Sequence, residues 1–340
     1  MSSLPCSRSI SRSLAYVVVT AAAAVLAGCP ASSGDQSQSS TKRPRIVVTV
    51  PMLADLVEAV AGEEAIVERL LGPGVDPHLY KPTTSDIVAC DEAEAVFYVG
   101  LRLEGALADD LTKLAVSKKR VVAVGEAIAP DRLIRVGGHS DASSGVAGEV
   151  DPHLWMDVSL WAETVPTIVE TLAELRPEAR GTFEANAGTL AERLQRLHLY
   201  AAQTIATIPE KRRVLITSHD AFSYFGRAYD LQVEAVQGVS TESEAGVQDI
   251  ERLVGVIGDT GVQTVFTETS TANKQVEALV EAARAEGLEV ATAEADLFSD
   301  STGPVDTWEG TYAGMIDHDV NLITRSLGGI VPEGGFRGDE

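Results

Sequence analysis

The sequence predicts an α/β protein: two lobes with mostly parallel sheets flanked by helices, joined by one long rigid helix. Three observations predict it. Short β-branched runs alternate with helical patterns in both halves, the rhythm of parallel βαβ units. A pattern with helical spacing, residues 177–208, interrupts that rhythm in mid-chain. The part of the chain expected to fold, about 300 residues, exceeds what one core usually organises.

Taken in order, residues 1–28 read as a removed leader. Arg8 and Arg12 are followed by an apolar run over 14–26, which is too short for a finished transmembrane helix. Leu26-Ala27-Gly28-Cys29 resembles the lipobox of bacterial lipoproteins, so Cys29 is the expected lipidation site and the membrane anchor. Residues 29–43 are polar and read as a flexible tether. Cys6 falls in the leader and Cys29 would carry lipid, leaving Cys90 with no intramolecular disulfide partner; its apolar flanks make it a core residue.

The first lobe is expected over 44–176. Strands are predicted at 45–50, 65–70, 95–99 and 121–124, and helices at 52–60, from Thr84 onward, and at 105–114. Residues 128–149 break the pattern with a glycine- and serine-rich loop. Residues 158–175 read as one helix. Pro177-Glu178 then opens the linker helix, proline at its first position and an acid in its first turn. Leu190, Leu194, Leu197 and Ala201 keep its apolar stripe, and Pro209 stops it. At 1.5 Å per residue it would span roughly 48 Å. The second lobe, 209–328, carries strand signals at 213–218, 232–236, 264–267 and 289–292. Its helices are expected at 222–229, 247–260, 273–286 and 312–327. Residues 329–340, rich in glycine and acids, read as a disordered tail.

Charge excludes one class of partner. The chain has 27 basic and 50 acidic residues. Removing the two leader arginines leaves 25 against 50, a net charge of −25, which argues against nucleic acid. Hydrophobic residues make up 45% and aromatics only 5%, so the interior should be aliphatic.

Chemistry concentrates in the histidines. The chain has six, and two share one frame: Asp76-Pro77-His78-Leu79-Tyr80 and Asp151-Pro152-His153-Leu154-Trp155. Proline fixes the backbone on either side of the turn. A third, His219, ends the strand-like run Val214-Leu215-Ile216-Thr217-Ser218. Asp300, after the last strand signal, is the best-placed acid for a fourth position. Three imidazoles and one carboxylate suit a divalent transition metal, zinc above manganese. His139 lies in the loop, while His198 and His318 fall on helices and are expected to be structural. No HExxH or nucleophile elbow is present.

These motifs carry a resemblance. Gly74-Val75-Asp76-Pro77-His78-Leu79-Tyr80-Lys81-Pro82 with Asp86, the frame continuing to Met156-Asp157, Thr217-Ser218-His219-Asp220-Ala221-Phe222, and Ser299-Asp300-Ser301 resemble the metal-binding receptors of bacterial zinc and manganese ABC importers. These are periplasmic solute-binding lipoproteins of the cluster with a helical linker, cluster A-I. The resemblance covers residues 45–327. It implies His78, His153, His219 and Asp300 as ligands of Zn²⁺, with Mn²⁺ possible, buried between the lobes. Histidine at the third position points to zinc; a loop with only His139 departs from the histidine-rich loop of many zinc receptors. It implies a monomer that hands metal to a membrane permease and is not an enzyme. The alternatives are a manganese or mixed-metal receptor, a secreted zinc hydrolase with Glu268 as base (a residue that reads first as a structural acid near the cleft), and a surface adhesin.

Overall fold

Residues 42–116, 120–136 and 149–339 are described by the computed structural model. The leader, the tether as far as Thr41 with Cys29, and His139 lie outside the described residues.

The first lobe is built on β1 (Arg45–Val48), α1 (Pro51–Ala61), β2 (Ile66–Arg69), α2 (Thr84–Glu92), β3 (Ala95–Tyr98), α3 (Gly105–Val116) and β4 (Arg120–Ala123). Its strands form one parallel sheet in the order β2-β1-β3-β4. Pro51 opens α1, where its missing N–H costs nothing. Thr83 caps α2 through a reciprocal capping box with Asp86, one residue earlier than the sequence signal at Thr84. Cys90 is buried with Val47, Val96, Leu107 and Leu111, as a core residue should be.

A short antiparallel pair follows, β5 (Arg135–Val136) with β6 (Glu149–Val150), inside the stretch that reads only as loop. The helix expected over 158–175 is two: α4 (Val158–Ala162) and α5 (Val165–Leu175). Pro166 at the start of α5 is the reason, because its ring and missing N–H cannot continue a preceding helical turn.

The linker helix α6 runs Arg180–Ile205, shorter than 177–208. Residues Pro177–Ala179 form a separate 3-10 turn, and the 206–208 end tightens into turns before Pro209. Its 26 residues span about 39 Å. Phe183, Leu190, Leu194, Leu197, Ala201 and Ile205 form its buried face. That face packs on α1, α4 and α5 and on α7 (Ser223–Tyr229) and α10 (Tyr312–Ser326), so one rigid element is shared by both lobes.

The second lobe pairs β7 (Val214–His219) with β8 (Gln232–Gln237), and β9 (Thr264–Val265) with β10 (Ala291–Thr292), both parallel. Phe266 N donates to Ile216 O at 2.8 Å, which joins the two pairs side by side. Helices α8 (Val247–Thr260) and α9 (Lys274–Ala285) flank them.

The tail corrects an expectation. Residues 329–339 are not disordered: Phe336 is only 2% exposed, beside Tyr200 with ring centroids 5.6 Å apart. Its N–H donates to Asp317 Oδ1 at 2.8 Å. Gly335, at φ +63°, makes the turn, and a Cβ there would sit 2.7 Å from Asp317 Oδ1. One aromatic in a polar segment is enough to anchor it. Among the described residues no helix is long and apolar enough to cross a membrane.

Candidate metal centre

Four loops or strand ends bring their side chains to one point. His78 comes from the turn between β2 and α2, His153 from the segment before the 3-10 turn Leu154–Met156, His219 from the last residue of β7, and Asp300 from the loop between β10 and α10. In both Asp-Pro-His frames the aspartate Oδ1 accepts the histidine N–H two residues on, at 2.8 Å for His78 and 2.9 Å for His153. These are Asx turns, and the proline between fixes their backbone.

All four side chains are buried, and one potential ligand atom from each lies within 4.8 Å of the others. His78 Nε2 is 3.3 Å from His153 Nε2. Asp300 Oδ1 is 3.3 Å from His153 Nε2; its Oδ2 is 3.2 Å from His219 Nε2 and 3.8 Å from His78 Nε2. Two atoms each bound 2.0–2.1 Å from a common ion at a tetrahedral angle would lie about 3.4 Å apart. The spacing fits that, except for the wider gap from His78 to Asp300. His219 Nε2 and both Asp300 oxygens make no hydrogen bond within the protein although fully buried. Buried polar atoms left this way normally have a partner of another kind.

The outer shell orients two of the three rings. Asp151 Oδ1 is 2.7 Å from His153 Nδ1, and Glu268 Oε2 is 2.5 Å from His219 Nδ1. Each presents Nε2 inward as a carboxylate–histidine pair does at metal sites. Glu268 Oε1 also accepts His219 N–H at 2.9 Å, so both its oxygens are committed. Burial opposes charge on His153, but Asp151 and Asp300 outweigh it and push the imidazole up to about 9. His219 is likewise raised well above its ordinary value, burial being overcome by Glu268 and Asp300. His78 goes the other way: burial, with His153 and His219 nearby, lowers it to about 3 despite Asp300. Burial works against charge on Asp300 too, but His219 and His153 hold its carboxyl well below the usual range.

Sequence reasoning missed how the outer carboxylates act. Glu268 reads as a cleft acid or a base, not as the partner of His219. Asp151 gives no signal of its own, because Asp76 occupies the same place in the frame without touching its ring. Further out, Asp319 is buried and, through desolvation, held well above the usual carboxylate range; it accepts Phe298 N–H at 3.0 Å and so steadies the loop segment before Asp300. His198 on α6 packs against Tyr229 of α7, and His318 Nε2 lies 3.0 Å from Asp296 O, both away from the cluster.

Residues 46–326 match the family described as the periplasmic zinc-uptake complex component A, ZnuA. The chain belongs to this family. Among its relatives, the manganese-binding lipoprotein MntA of Bacillus subtilis is 38% identical over 302 residues, covering 89% of this chain and 95% of that protein. The zinc-binding protein TroA of Treponema pallidum is 36% identical over 303 residues, covering 89% and 95%. The solved structure of periplasmic TroA superposes with a TM-score of 0.78 at 38% identity, over 84% of this chain and 99% of that one. Fe(III)-bound YtgA from Chlamydia trachomatis superposes with a TM-score of 0.75 at 26% identity, over 85% and 99%. The family's fold, two α/β lobes on a long helix, is the fold found here.

Proposed function

We propose that this chain is the extracytoplasmic solute-binding component of a metal ABC importer. It captures a divalent transition metal between its lobes and delivers it to a membrane permease. His78, His153, His219 and Asp300 are the ligands, and a lipid on Cys29 tethers the body to the membrane as a monomer. The observation that carries the reading is the convergence of three inward-facing Nε2 atoms and one carboxylate in a buried site. Three nitrogens favour zinc as the cargo.

The site is built to hold, not to react. The protein supplies all four ligands, leaving no position reserved for water as catalytic zinc requires. Glu268, the base a hydrolase would need, has both oxygens on His219. Affinity depends on two ligands from each lobe, so small tilts about α6 on docking suffice to loosen the ion.

A second reading, manganese or mixed-metal uptake, is favoured by the likeness to a manganese-binding lipoprotein at 38% identity. Competitive titration of Zn²⁺ against Mn²⁺ on the chelator-stripped chain decides between them. One tight equivalent of zinc, weakened on the order of 100-fold or more in His219→Ala and Asp300→Ala, is the expected result. Comparable manganese binding selects the second reading. Zinc binding untouched by Asp300→Ala removes the fourth ligand and reopens the hydrolase.

A further inference from the structure

The loop that carries His78 is supported from both lobes, and the two supports differ in kind. On the first-lobe side it rests on Gly105, where a Cβ would fall 2.5 Å from His78 O. On the second-lobe side it is held by two small hydroxyls. Ser301 Oγ accepts Gly74 N–H at 2.9 Å, and Thr241 Oγ1 donates to Asp76 Oδ2 at 2.6 Å. Asp76 uses its other oxygen on His78 N–H. One carboxylate therefore connects a second-lobe hydroxyl to the backbone of a first-lobe ligand.

Thr241 lies in the segment after β8 and is 8% exposed. Its neighbours Ser240 and Glu242 line a cavity of about 590 Å³ that opens over His78. The equivalent aspartate of the other frame, Asp151, makes no such bridge: its Oδ1 serves His153, and its Oδ2 has no hydrogen-bond partner.

We infer that Thr241 is a positioning residue for the metal site: by holding Asp76 across the cleft it keeps His78 against the ion and slows the ion's escape. The inference rests on the receptor reading above. The hydrogen bond of Thr241 goes to Asp76 and not to a side chain of the cluster, so its effect is expected on dissociation and not on capture. The bridge exists only while the lobes are together. Parting them removes the Thr241 and Ser301 supports and leaves the Gly105 contact, so His78 would lose its backing before the cage itself is pulled apart.

The test uses the full chain, stripped with chelator and loaded with one equivalent of Zn²⁺. Release into excess chromophoric chelator is followed by stopped flow for the wild type, Thr241→Val and Thr241→Ser. Valine keeps the shape and removes the donor; serine keeps the donor. The expected result is release about tenfold faster in Thr241→Val, the weight of one hydrogen bond to a carboxylate. Association should be unchanged, and Thr241→Ser should return the wild-type rate. Equal release from Thr241→Val and the wild type overturns the inference, as does a serine variant that releases as fast as the valine one. A wild-type chain that takes up neither zinc nor manganese overturns the receptor reading and this inference with it.

Discussion

Asp76–Tyr80 and Asp151–Trp155 use nearly the same five residues and the same Asx turn, yet the molecule treats them differently. Trp155 is fully buried; its Nε1 donates to Ser299 O at 2.8 Å, and Tyr312 Oη donates to its carbonyl at 2.5 Å. Tyr224 Oη holds Asp151 O at 2.9 Å. Large aromatics from the second lobe thus fix that frame from behind. Tyr80 instead is half-buried and bonds Asp86 within its own lobe, and Leu79 at the turn is 53% exposed. His153 has a carboxylate on its Nδ1; His78 has none in this arrangement. One frame is a fixed post and the other a jaw at the cleft edge. A local motif sets the turn and the direction of the ring, but the rigidity of the ligand comes from what packs behind it.

The largest expected effect is that of pH. Metal binding needs neutral imidazoles. An unperturbed imidazole would place proton competition near pH 6, but His153 is raised to about 9 and His219 is also raised. Each proton displaced costs about tenfold in affinity per pH unit below that value, so zinc affinity should fall by at least about 100-fold between pH 8 and pH 6. His78, already neutral, adds nothing to this slope. Titrations in buffers of different ionisation enthalpy count the released protons. A flat profile between pH 5 and pH 7.5 would contradict the histidine site itself.

Next in size is the outer carboxylate. Asp151→Asn should weaken zinc roughly 10–100-fold, because it unties the His153 ring, and should flatten the pH slope. Asp76→Asn, which touches no ring, should cost less. Equal losses from the two, measured by competition against a calibrated chelator, would mean the frames are equivalent after all.

The smallest effect concerns stability. Tyr312→Phe leaves the buried Trp155 carbonyl without its donor and should cost roughly 1–3 kcal/mol in denaturant unfolding of the metal-free protein. Tyr80→Phe, at a half-exposed position, should stay within about 0.5 kcal/mol. Reversal of that order would put the rigid post on the wrong frame.

Much of the architecture could be read before folding. The helix over 247–260 matches its signal end to end, and the strands of both lobes fall within a few residues of theirs, because β-branched runs and helical stripes are local signals. The break between α4 and α5 has a local signal in Pro166, which a helical stripe running on through 158–175 masks. The β5–β6 pair was not visible: two residues on each side carry too little pattern to register. The buried tail was hidden because one phenylalanine among glycines and acids looks like disorder until Tyr200 and Asp317 are placed beside it. Glu268 reads from the sequence as an acid near the cleft, but its partner His219 does not, since nothing in the order of residues says that the end of β9 lies against the end of β7.

By itself, then, the sequence determined the layered α/β lobes, the helix between them, and the paired frames of His78 and His153, because periodicity, proline turns and a repeated frame are written within a few residues of each other; the ligand roles of His219 and Asp300 rested on the family resemblance. Only the tertiary structure decided which carboxylates orient which rings, which frame is buried behind aromatics, and which is held by hydroxyls from across the cleft. Apart from Asp151 on His153, those contacts join residues 49 to 227 positions apart, and their strength depends on burial that no local pattern records.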